Sequence, residues 1–248
     1  MERFGAFLTE AAPQWQITLQ HRPDVVKGDA DWAVHEETFT RFHIAAYRGW
    51  VDLAARIGEV SAPSLVRAPS ALARILVFIA TVILPRERDG LLLHACGLAA
   101  PQAAYAFCGP SGAGKSTVTS LAPPIVQIMS DENVVVRLEE NVPVLHSTPF
   151  WGQSTPEAHI QRMRMRRPLA ALFILKQSPK WFLRPLRNSE AILALLATEK
   201  IAVERVESAR VWLDVASRLI ARTPIYELGF LPTSDLWPFL TSHGFLIF

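Results

Sequence analysis

An eight-residue segment near the middle of the chain constrains the fold more than any other feature. It reads Gly109-Pro110-Ser111-Gly112-Ala113-Gly114-Lys115-Ser116 and fits the phosphate-loop (Walker A) pattern G-x-x-x-x-G-K-[ST] at every fixed position. An apolar run over residues 103–108 precedes it, and we predict a helix over residues 114–121. A strand, a glycine-rich loop and a helix in this order form the context that the pattern requires. The segment therefore predicts an α/β fold that binds a nucleoside triphosphate.

Each position of the predicted phosphate loop has a physical role. Glycines let backbone N–H groups approach and surround phosphate oxygens. Lys115 supplies a mobile positive charge to the β- and γ-phosphates, and Ser116 offers a hydroxyl to Mg²⁺. The predicted nucleotide contacts come from the whole loop and the residue after it: Gly109, Pro110, Ser111, Gly112, Ala113, Gly114, Lys115, Ser116 and Thr117.

Two carboxylates follow the next predicted strand, residues 125–129. Asp131 and Glu132 stand where a strand that comes directly from the phosphate-loop helix would end. A carboxylate there can hold Mg²⁺ directly or through water, and a second can accept the proton of an attacking hydroxyl. We predict Ser116, Asp131 and Glu132 as metal ligands and Asp131 as the base. A solvated strand end is the structural alternative.

A hairpin is predicted after the acidic pair. Residues 133–138 and 142–146 read as two strands around the turn Glu139-Glu140-Asn141. Small-molecule kinases of the shikimate and nucleotide kinase type also place acidic residues at this point, but they continue into a helix. The hairpin therefore favours a different α/β fold.

Hydrophobic periodicity and turn residues predict the remaining elements. We predict strands over residues 15–19, 38–47, 91–98, 168–176 and 225–230. We predict helices over residues 70–84, 189–199 and 208–221, with Ser70 and Ser189 as N-caps, and a short terminal helix that starts at Ser234 or Asp235. A charged turn is predicted over residues 85–90. The predicted domains are a β-rich N-terminal part with a helix, residues 1–87, and an ATP-binding domain, residues 88–248.

Composition excludes several classes of protein. Half of the residues are hydrophobic, 19% are charged and the net charge is +2, which indicates a globular core and no nucleic-acid partner. Cys96 and Cys108 lie in apolar runs without metal or disulfide spacing, as is typical of a reducing cytoplasm. No signal-peptide pattern is found, and the apolar run over residues 75–84 is shorter than the roughly 20 residues that cross a bilayer. We interpret this run as a buried helix, with membrane attachment as the lesser alternative, and expect a cytoplasmic protein without a membrane partner.

Three segments together resemble the catalytic core of the HPr kinase/phosphorylase family, and especially its shorter HPr-kinase-related members. They are residues 92–95 (LLHA), the loop GPSGAGKS and residues 129–136 (MSDENVVV). This core is similar to the nucleotide site of ATP-dependent phosphoenolpyruvate carboxykinase. The resemblance covers residues 88–152 closely and 165–235 loosely. It implies a mixed β-sheet with flanking helices that holds ATP and Mg²⁺.

The resemblance also implies roles for single residues. His94 matches a family histidine on the strand before the loop, near the transferred phosphate, and Asp131 matches the first acid of the family's acidic pair. Glu132 replaces the usual second aspartate and moves the carboxylate outward by one methylene, so the division of base and metal roles between the two acids stays open. The implied catalytic residues are His94, Lys115 and Asp131.

The function that the resemblance implies is an ATP-dependent serine kinase acting on a hydroxyl of a protein or peptide. Relatives can lie beside peptide-maturation genes, which makes a ribosomal peptide one expected acceptor, and HPr kinases form rings, which implies a homo-oligomer. The family's later Glu-x-Arg-Gly type signature and its regulatory domain are not found, so HPr as the target and the phosphorylase reaction are not carried over. A small-molecule kinase and a non-catalytic ATP-binding regulatory module are the alternatives.

Two further segments are candidates for the site. Residues 148–153 predict an ordered loop near it, in which Phe150 and Trp151 have packing roles. The basic cluster Arg162, Arg164, Arg166 and Arg167 could neutralise a transferring phosphate or bind an acidic substrate. A solvated surface is the alternative for this cluster.

Overall fold

The structure, a computed structural model, describes residues 2–26, 32–36, 38–87, 89–152, 162–198 and 206–245. Within these ranges the chain is a mixed α/β protein whose sheets combine parallel and antiparallel strands. It divides into two compact units, Met1–Ile83 and Leu84–Phe248. The division falls in the last turn of a helix that ends at Arg86, whereas the sequence places a boundary after residue 87.

The N-terminal unit is built on a five-stranded sheet in the order β1-β5-β4-β3-β2. Its strands are β1 (Gln16–His21), β2 (Trp32–Glu36), β3 (Phe39–Ile44), β4 (Tyr47–Asp52) and β5 (Ile57–Ala62), after a short helix α1 (Glu2–Gly5). Neighbouring strands are antiparallel except β1 and β5, which are parallel. Phe42 of β3 is buried and stacks on Phe78 of helix α2 (Ala68–Arg86) at 5.5 Å between ring centroids.

Helix α2 begins earlier and ends later than the sequence predicts. A 3-10 turn, Leu65–Arg67, leads into it, so Ser70 lies in its first turn and is not the N-cap. The helix includes Pro85, where the sequence predicts a turn. The last turn of a helix can accommodate a proline because only one backbone hydrogen bond is lost there. Residue 88 of that predicted turn lies outside the described residues.

The same helix bears on the membrane prediction. Among the described residues, the stretch Leu65–Arg86 is long and apolar enough to cross a bilayer, and its most apolar window has a mean hydropathy of 1.9 and is 39% buried. Length and composition do not separate a membrane span from a core helix, because both pass the same test.

The C-terminal unit is built on a nine-stranded sheet. Its strands are β6 (Gly90–Leu93), β7 (Ala95–Ala99), β8 (Ala104–Cys108), β9 (Gln127–Ser130), β10 (Val134–Glu139), β11 (Val142–His146), β12 (Arg166–Gln177), β13 (Phe182–Pro185) and β14 (Ile225–Phe230). The main order is β6-β10-β11-β12-β8-β7-β9, with β14 beside β12 and β13 beside β14. Strand β12 joins the parts: it is antiparallel to β11 at its start and parallel to β8 and β14 further along.

The single strand predicted over residues 91–98 is in fact two strands. Strand β6 pairs with β10, strand β7 lies between β8 and β9, and His94 is the residue between the two. The prediction was wrong because residues 91–99 are all buried. An apolar run buried on both faces carries no alternation from which a break could be read.

The hairpin predicted after the acidic pair is confirmed. Strands β10 and β11 are antiparallel, and the pair Glu139 and Val142 closes the turn. Glu140 and Asn141 have φ values of 49° and 67°, which is the left-handed pair of a two-residue type I′ turn.

In the described part of the C-terminal unit, four helices cover the two faces of the sheet. Helices α3 (Lys115–Ser120) and α6 (Leu236–Ser242) share a core with Phe107 and Phe173. Helices α4 (Asn188–Thr198) and α5 (Val206–Ile220) share another with Ala106 and Cys108. The cores lie on opposite faces because adjacent residues of β8 alternate between them. Helix α4 begins one residue before the predicted cap Ser189, and residue 199 of that prediction lies outside the described residues.

Candidate active site

Three strand ends meet at one edge of the C-terminal sheet. Strands β8 and β9 are both antiparallel to β7, which lies between them, so they run in the same direction. Ala95 pairs with Cys108, and Gly97 pairs with Ser130. The start of β7 therefore lies beside the ends of β8 and β9. This topology brings together His94, the glycine-rich loop (residues 109–116) and the acidic pair.

The glycine-rich loop packs closely against neighbouring strands. Gly112 and Gly114 have φ values of +83° and +111°, which side chains rarely adopt. A Cβ atom at Gly114 would lie 2.4 Å from Cζ of Phe230, the last residue of β14. Gln177, the last residue of β12, donates a hydrogen bond from Nε2 to the Gly112 carbonyl at 2.8 Å. The ends of β12 and β14 therefore help to fix the loop.

The side chain of Lys115 turns back across this loop. It is 7% exposed, and its Nζ donates hydrogen bonds to the carbonyls of Gly109 at 2.7 Å and Pro110 at 3.1 Å. A buried ammonium needs such partners, because its desolvation is otherwise costly. The contacts hold a positive charge against the first residues of the loop.

Asp131 is held by a backbone group from a distant part of the chain. It is 7% exposed, and its Oδ1 accepts a hydrogen bond from the Gly152 N–H at 2.8 Å. A Cβ atom at Gly152 would lie 3.2 Å from Asp131 Oδ2 and 3.5 Å from Glu132 Oε2. Both carboxylates therefore face the same glycine, and the acidic pair is a compact group.

Ser130 fixes the turn that carries the two acids. Its Oγ accepts hydrogen bonds from the N–H groups of Glu132 and Asn133, both at 3.3 Å, and donates one to the Phe150 carbonyl at 3.1 Å. The side chain is fully buried. A single hydroxyl thus ties the end of β9 to the segment that contacts Asp131.

The segment over residues 148–152 forms one wall of the site. Thr148 Oγ1 donates to the Asn133 carbonyl at 2.5 Å, and the indole N–H of Trp151 donates to the Thr148 carbonyl at 3.0 Å. Phe150 and Trp151 are buried, which confirms their predicted packing roles. Residue 153 of the predicted loop lies outside the described residues.

The predicted arginine cluster is divided between two places. The Arg162 guanidinium lies 5.3 Å from the ring centroid of Trp151, beside the wall segment. Arg166 instead donates to Glu139 of the β10–β11 hairpin at 2.8 Å, and Arg167 donates to the Arg166 carbonyl at 2.9 Å. Arg164 is exposed. Of the four arginines, Arg162 is the one beside the site. It contacts Trp151, and the next residue, Gly152, donates its N–H to Asp131.

The thiol of Cys96 is fully buried on β7, between the strands that lead to the glycine-rich loop and the acidic pair. Burial raises the pKa of its thiol, with a further rise from Cys108; the charge of Lys115 opposes the increase and that of Asp131 adds to it. The thiol therefore stays protonated at neutral pH, in agreement with the predicted structural role of both buried cysteines.

The oxygen donors of the site suit a hard divalent cation. Within the described ranges, no group of three or more His, Cys, Asp or Glu side chains could hold a metal ion. Mg²⁺ often binds proteins through only one or two carboxylates, completed by substrate phosphates and water. The compact pair Asp131 and Glu132, with the exposed Ser116 hydroxyl on the loop, fits that requirement.

Several residues of this site escaped prediction from the sequence. Gly152, Ser130, Gln177 and Phe230 contact the loop or the acidic pair. Pro149 and Gly152 around two aromatic residues indicated an ordered loop, but no sequence signal shows which N–H group meets a carboxylate. Phe230 ends the predicted strand over residues 225–230, and Gln177 follows the predicted strand over residues 168–176. Neither residue belongs to a motif, so only the sheet order reveals their place.

The chain matches the model of a known protein family. A family model described as SynChlorMet cassette protein ScmC matches residues 69–230 of the chain. These residues include His94, the glycine-rich loop, the acidic pair and the wall segment. No curated protein matches the chain.

Proposed function

We propose that this chain, which belongs to the ScmC family of SynChlorMet cassette proteins, is an ATP-dependent kinase. The proposed reaction moves the γ-phosphoryl group to a serine-like hydroxyl of a protein or peptide. One observation carries the proposal. Lys115 is buried in a loop that fits the phosphate-loop pattern, and Asp131 and Glu132 form a compact pair. The loop follows β8 and the pair follows β9, and these two strands end at the same edge of the sheet. A triphosphate and an acceptor hydroxyl need this combination of a cation, amide donors and carboxylates.

The loop is the proposed phosphate site. The N–H groups of residues 109 and 111–117 would surround the phosphates, and Lys115 would exchange its two carbonyl partners for β- and γ-phosphate oxygens. The left-handed glycines Gly112 and Gly114 support the proposal, because such backbone turns direct successive N–H groups to one point.

The acidic pair is the proposed metal and base site. Ser116, Glu132 and Asp131 would hold Mg²⁺, which neutralises charge on the phosphates. Asp131 is the proposed base, because the Gly152 N–H holds its carboxylate in a defined orientation. Its carboxylate would take the proton of the acceptor hydroxyl as the bond from the acceptor oxygen to Pγ forms, and the bond from Pγ to the bridging oxygen would break to leave ADP. His94 would orient the γ-phosphate or Asp131 from its position between β6 and β7.

The sheet also supports a finer proposal about the fold. We propose that the C-terminal unit has the mixed-sheet architecture of phosphoenolpyruvate carboxykinase and HPr kinase. The glycine-rich loop lies between β8 and α3, and the acidic pair is followed by the hairpin β10–β11 rather than by a helix. The N-terminal five-stranded sheet lies outside that proposal.

A labelling experiment tests the activity. The protein is incubated with γ-labelled ATP, Mg²⁺ and host lysate, and we expect label on a protein or peptide. Lys115→Ala and Asp131→Asn should each reduce the labelling about 100-fold or more, since each removes a group that acts on the transferring phosphoryl group or its acceptor. Asp214→Asn, on the surface of α5, is the control and should label normally.

Two outcomes contradict the proposal. Label found only in small metabolites would identify a small-molecule kinase. Tight ATP binding without turnover on any acceptor would identify a regulatory module.

A further inference from the structure

A cavity of about 440 Å³ adjoins the glycine-rich loop. Gly114 and Thr117 line one side of it, and residues at the ends of β12 and β14 line the other. Its volume lies within the range of about 300–1,000 Å³ that is typical of small-molecule sites. The cavity is therefore large enough for an organic ligand and begins where the loop ends.

The walls of this cavity differ in chemistry from the loop. Phe230, Pro179 and Pro232 provide apolar surface, and Thr117, Gln177 and Ser178 provide hydroxyl and amide groups. Among the described residues that line the cavity, none has an ionisable side chain. A neutral cavity with an aromatic ring and a few polar groups suits a heteroaromatic ring bearing hydroxyls, and it offers no cation for a further phosphate.

Two side chains line the cavity and also contact the glycine-rich loop. Gln177 lines the cavity and donates its amide to the Gly112 carbonyl at 2.8 Å. The Phe230 ring lines the cavity and lies against Gly114, with no room there for a Cβ atom. A ligand that contacts these residues would therefore touch groups that also hold the loop in place.

We infer that this cavity holds the nucleoside half of the phosphoryl donor, an inference that rests on the proposed function. The base contacts Phe230 and the prolines, and Thr117, Ser178 and Gln177 are the hydrogen-bonding partners for the base or ribose. The donor is thereby restricted to nucleoside triphosphates, and inorganic polyphosphates, which have no group to fill the cavity, bind weakly.

Calorimetric titration with ATP and with inorganic tripolyphosphate, each with Mg²⁺, tests the inference. ATP should bind about tenfold more tightly than tripolyphosphate, since contact of a base with an aromatic ring adds to the binding energy. Ser178→Phe places a large ring in the cavity without removing a core residue. It should weaken ATP binding about tenfold and leave tripolyphosphate binding unchanged. Ser189→Phe, at an exposed position of α4, is the control and should change neither affinity.

A second variant gives an independent reading. Phe230→Leu keeps an apolar side chain in the core and removes the ring, and it should also reduce the preference for ATP over tripolyphosphate. Equal affinity of the wild-type protein for both ligands would overturn the inference and leave the loop as a phosphate site. An unchanged preference in Ser178→Phe would place the nucleoside elsewhere. Binding of neither ligand would overturn the proposed function as well.

Discussion

At the scale of single residues, Gly114 is the position where backbone and neighbours together exclude a side chain. Its φ of +111° strains any other residue, and a Cβ atom would lie 2.4 Å from the Phe230 ring, whereas at Gly112, with φ +83°, nothing lies within 4 Å. We expect Gly114→Ala to lower the free energy of unfolding by about 2–4 kcal/mol, from backbone strain and a displaced ring. Gly112→Ala should cost about 1–2 kcal/mol from strain alone. Urea denaturation measures both, and equal losses would show that the Phe230 contact is unimportant.

Gly152 gives a prediction about activity. A methyl group there would lie 3.2 Å from Asp131 Oδ2, closer than a relaxed contact, so the carboxylate would have to move. We expect Gly152→Ala to lower kcat at least about tenfold, because small displacements of a catalytic group are costly, while the Kd for ATP stays unchanged. The control is Gly5→Ala, where nothing lies within 4 Å. A parallel loss of ATP affinity would mean that the variant disturbs the loop and not only the acid.

The sequence predicts some of these residues and not others. The phosphate-loop pattern singles out Lys115, and the strand end singles out Asp131. The partners of both are set by chain segments far away in sequence. Nothing near residue 114 indicates that Phe230 will lie against it, and nothing near residue 131 indicates the Gly152 N–H. Local sequence patterns therefore identify the reactive groups, whereas the residues that surround them depend on tertiary packing.

At the scale of elements, Arg184 connects two strands and a helix. On β13 it pairs with Glu227 of β14, and it also donates to Glu190 of α4 at 2.9 Å. The Arg187 N–H, followed by Arg184 and the Arg187 side chain, lowers the pKa of Glu190 from 4.5 to about 2, and Arg184 is the main cause of a lowered pKa at Glu227. The folded state therefore favours both carboxylates in their ionised form.

The pH dependence of stability follows from these shifts. Because both pKa values are lowered in the folded state, the stabilisation is fully present above pH 4.5 and is lost as the pH falls toward about 2. We expect Arg184→Gln to lower Tm at pH 7 and to make the decrease in Tm between pH 4.5 and 2 less steep. Arg210→Gln, at an exposed position of α5, is the control. If Tm decreases as steeply between pH 4.5 and 2 in Arg184→Gln as in the wild-type protein, these ion pairs do not contribute to the pH dependence of stability.

Predictions of elements succeeded where the signals were local. The strand over residues 225–230, the hairpin β10–β11 and helix α5 all carry strong periodicity or turn residues. Strand β13 was missed because it has only four residues and ends in Pro185, so its strand character arises from pairing with β14. The break at His94 was missed because it depends on two different partner strands, β10 and β8.

At the scale of the whole molecule, ligand binding should be visible as a regional change in hydrogen exchange. We expect ATP with Mg²⁺ to slow exchange in residues 109–117 and near Gln177 and Phe230, because a ligand stabilises the segments that it contacts. Residues 16–21 and 39–62 of the N-terminal sheet should not change. Lys115→Ala with ATP is the control and should show no protection. Protection confined to the N-terminal sheet would contradict a site at the loop.

The general architecture was more accessible from the sequence than its details. A mixed α/β protein with a β-rich N-terminal part agrees with the observed sheets, because strand and helix periodicities alternate along the chain. The order of strands could not be derived, since it depends on which buried apolar runs pair, and all of them are similar in composition. The kinase activity and its acceptor stay predictions.

Strand β12 also determines when the protein can fold as it leaves a ribosome. This twelve-residue strand pairs with β11 and β8, which are synthesised before it, and with β14, which is synthesised after two intervening helices. Until residues 225–230 emerge, the edge of β12 that pairs with β14 is exposed, together with apolar residues that the folded protein buries. Nascent chains can associate through such an edge. Completion of the sheet is therefore tied to the synthesis of residues 225–230, and premature termination before β14 would leave an aggregation-prone product.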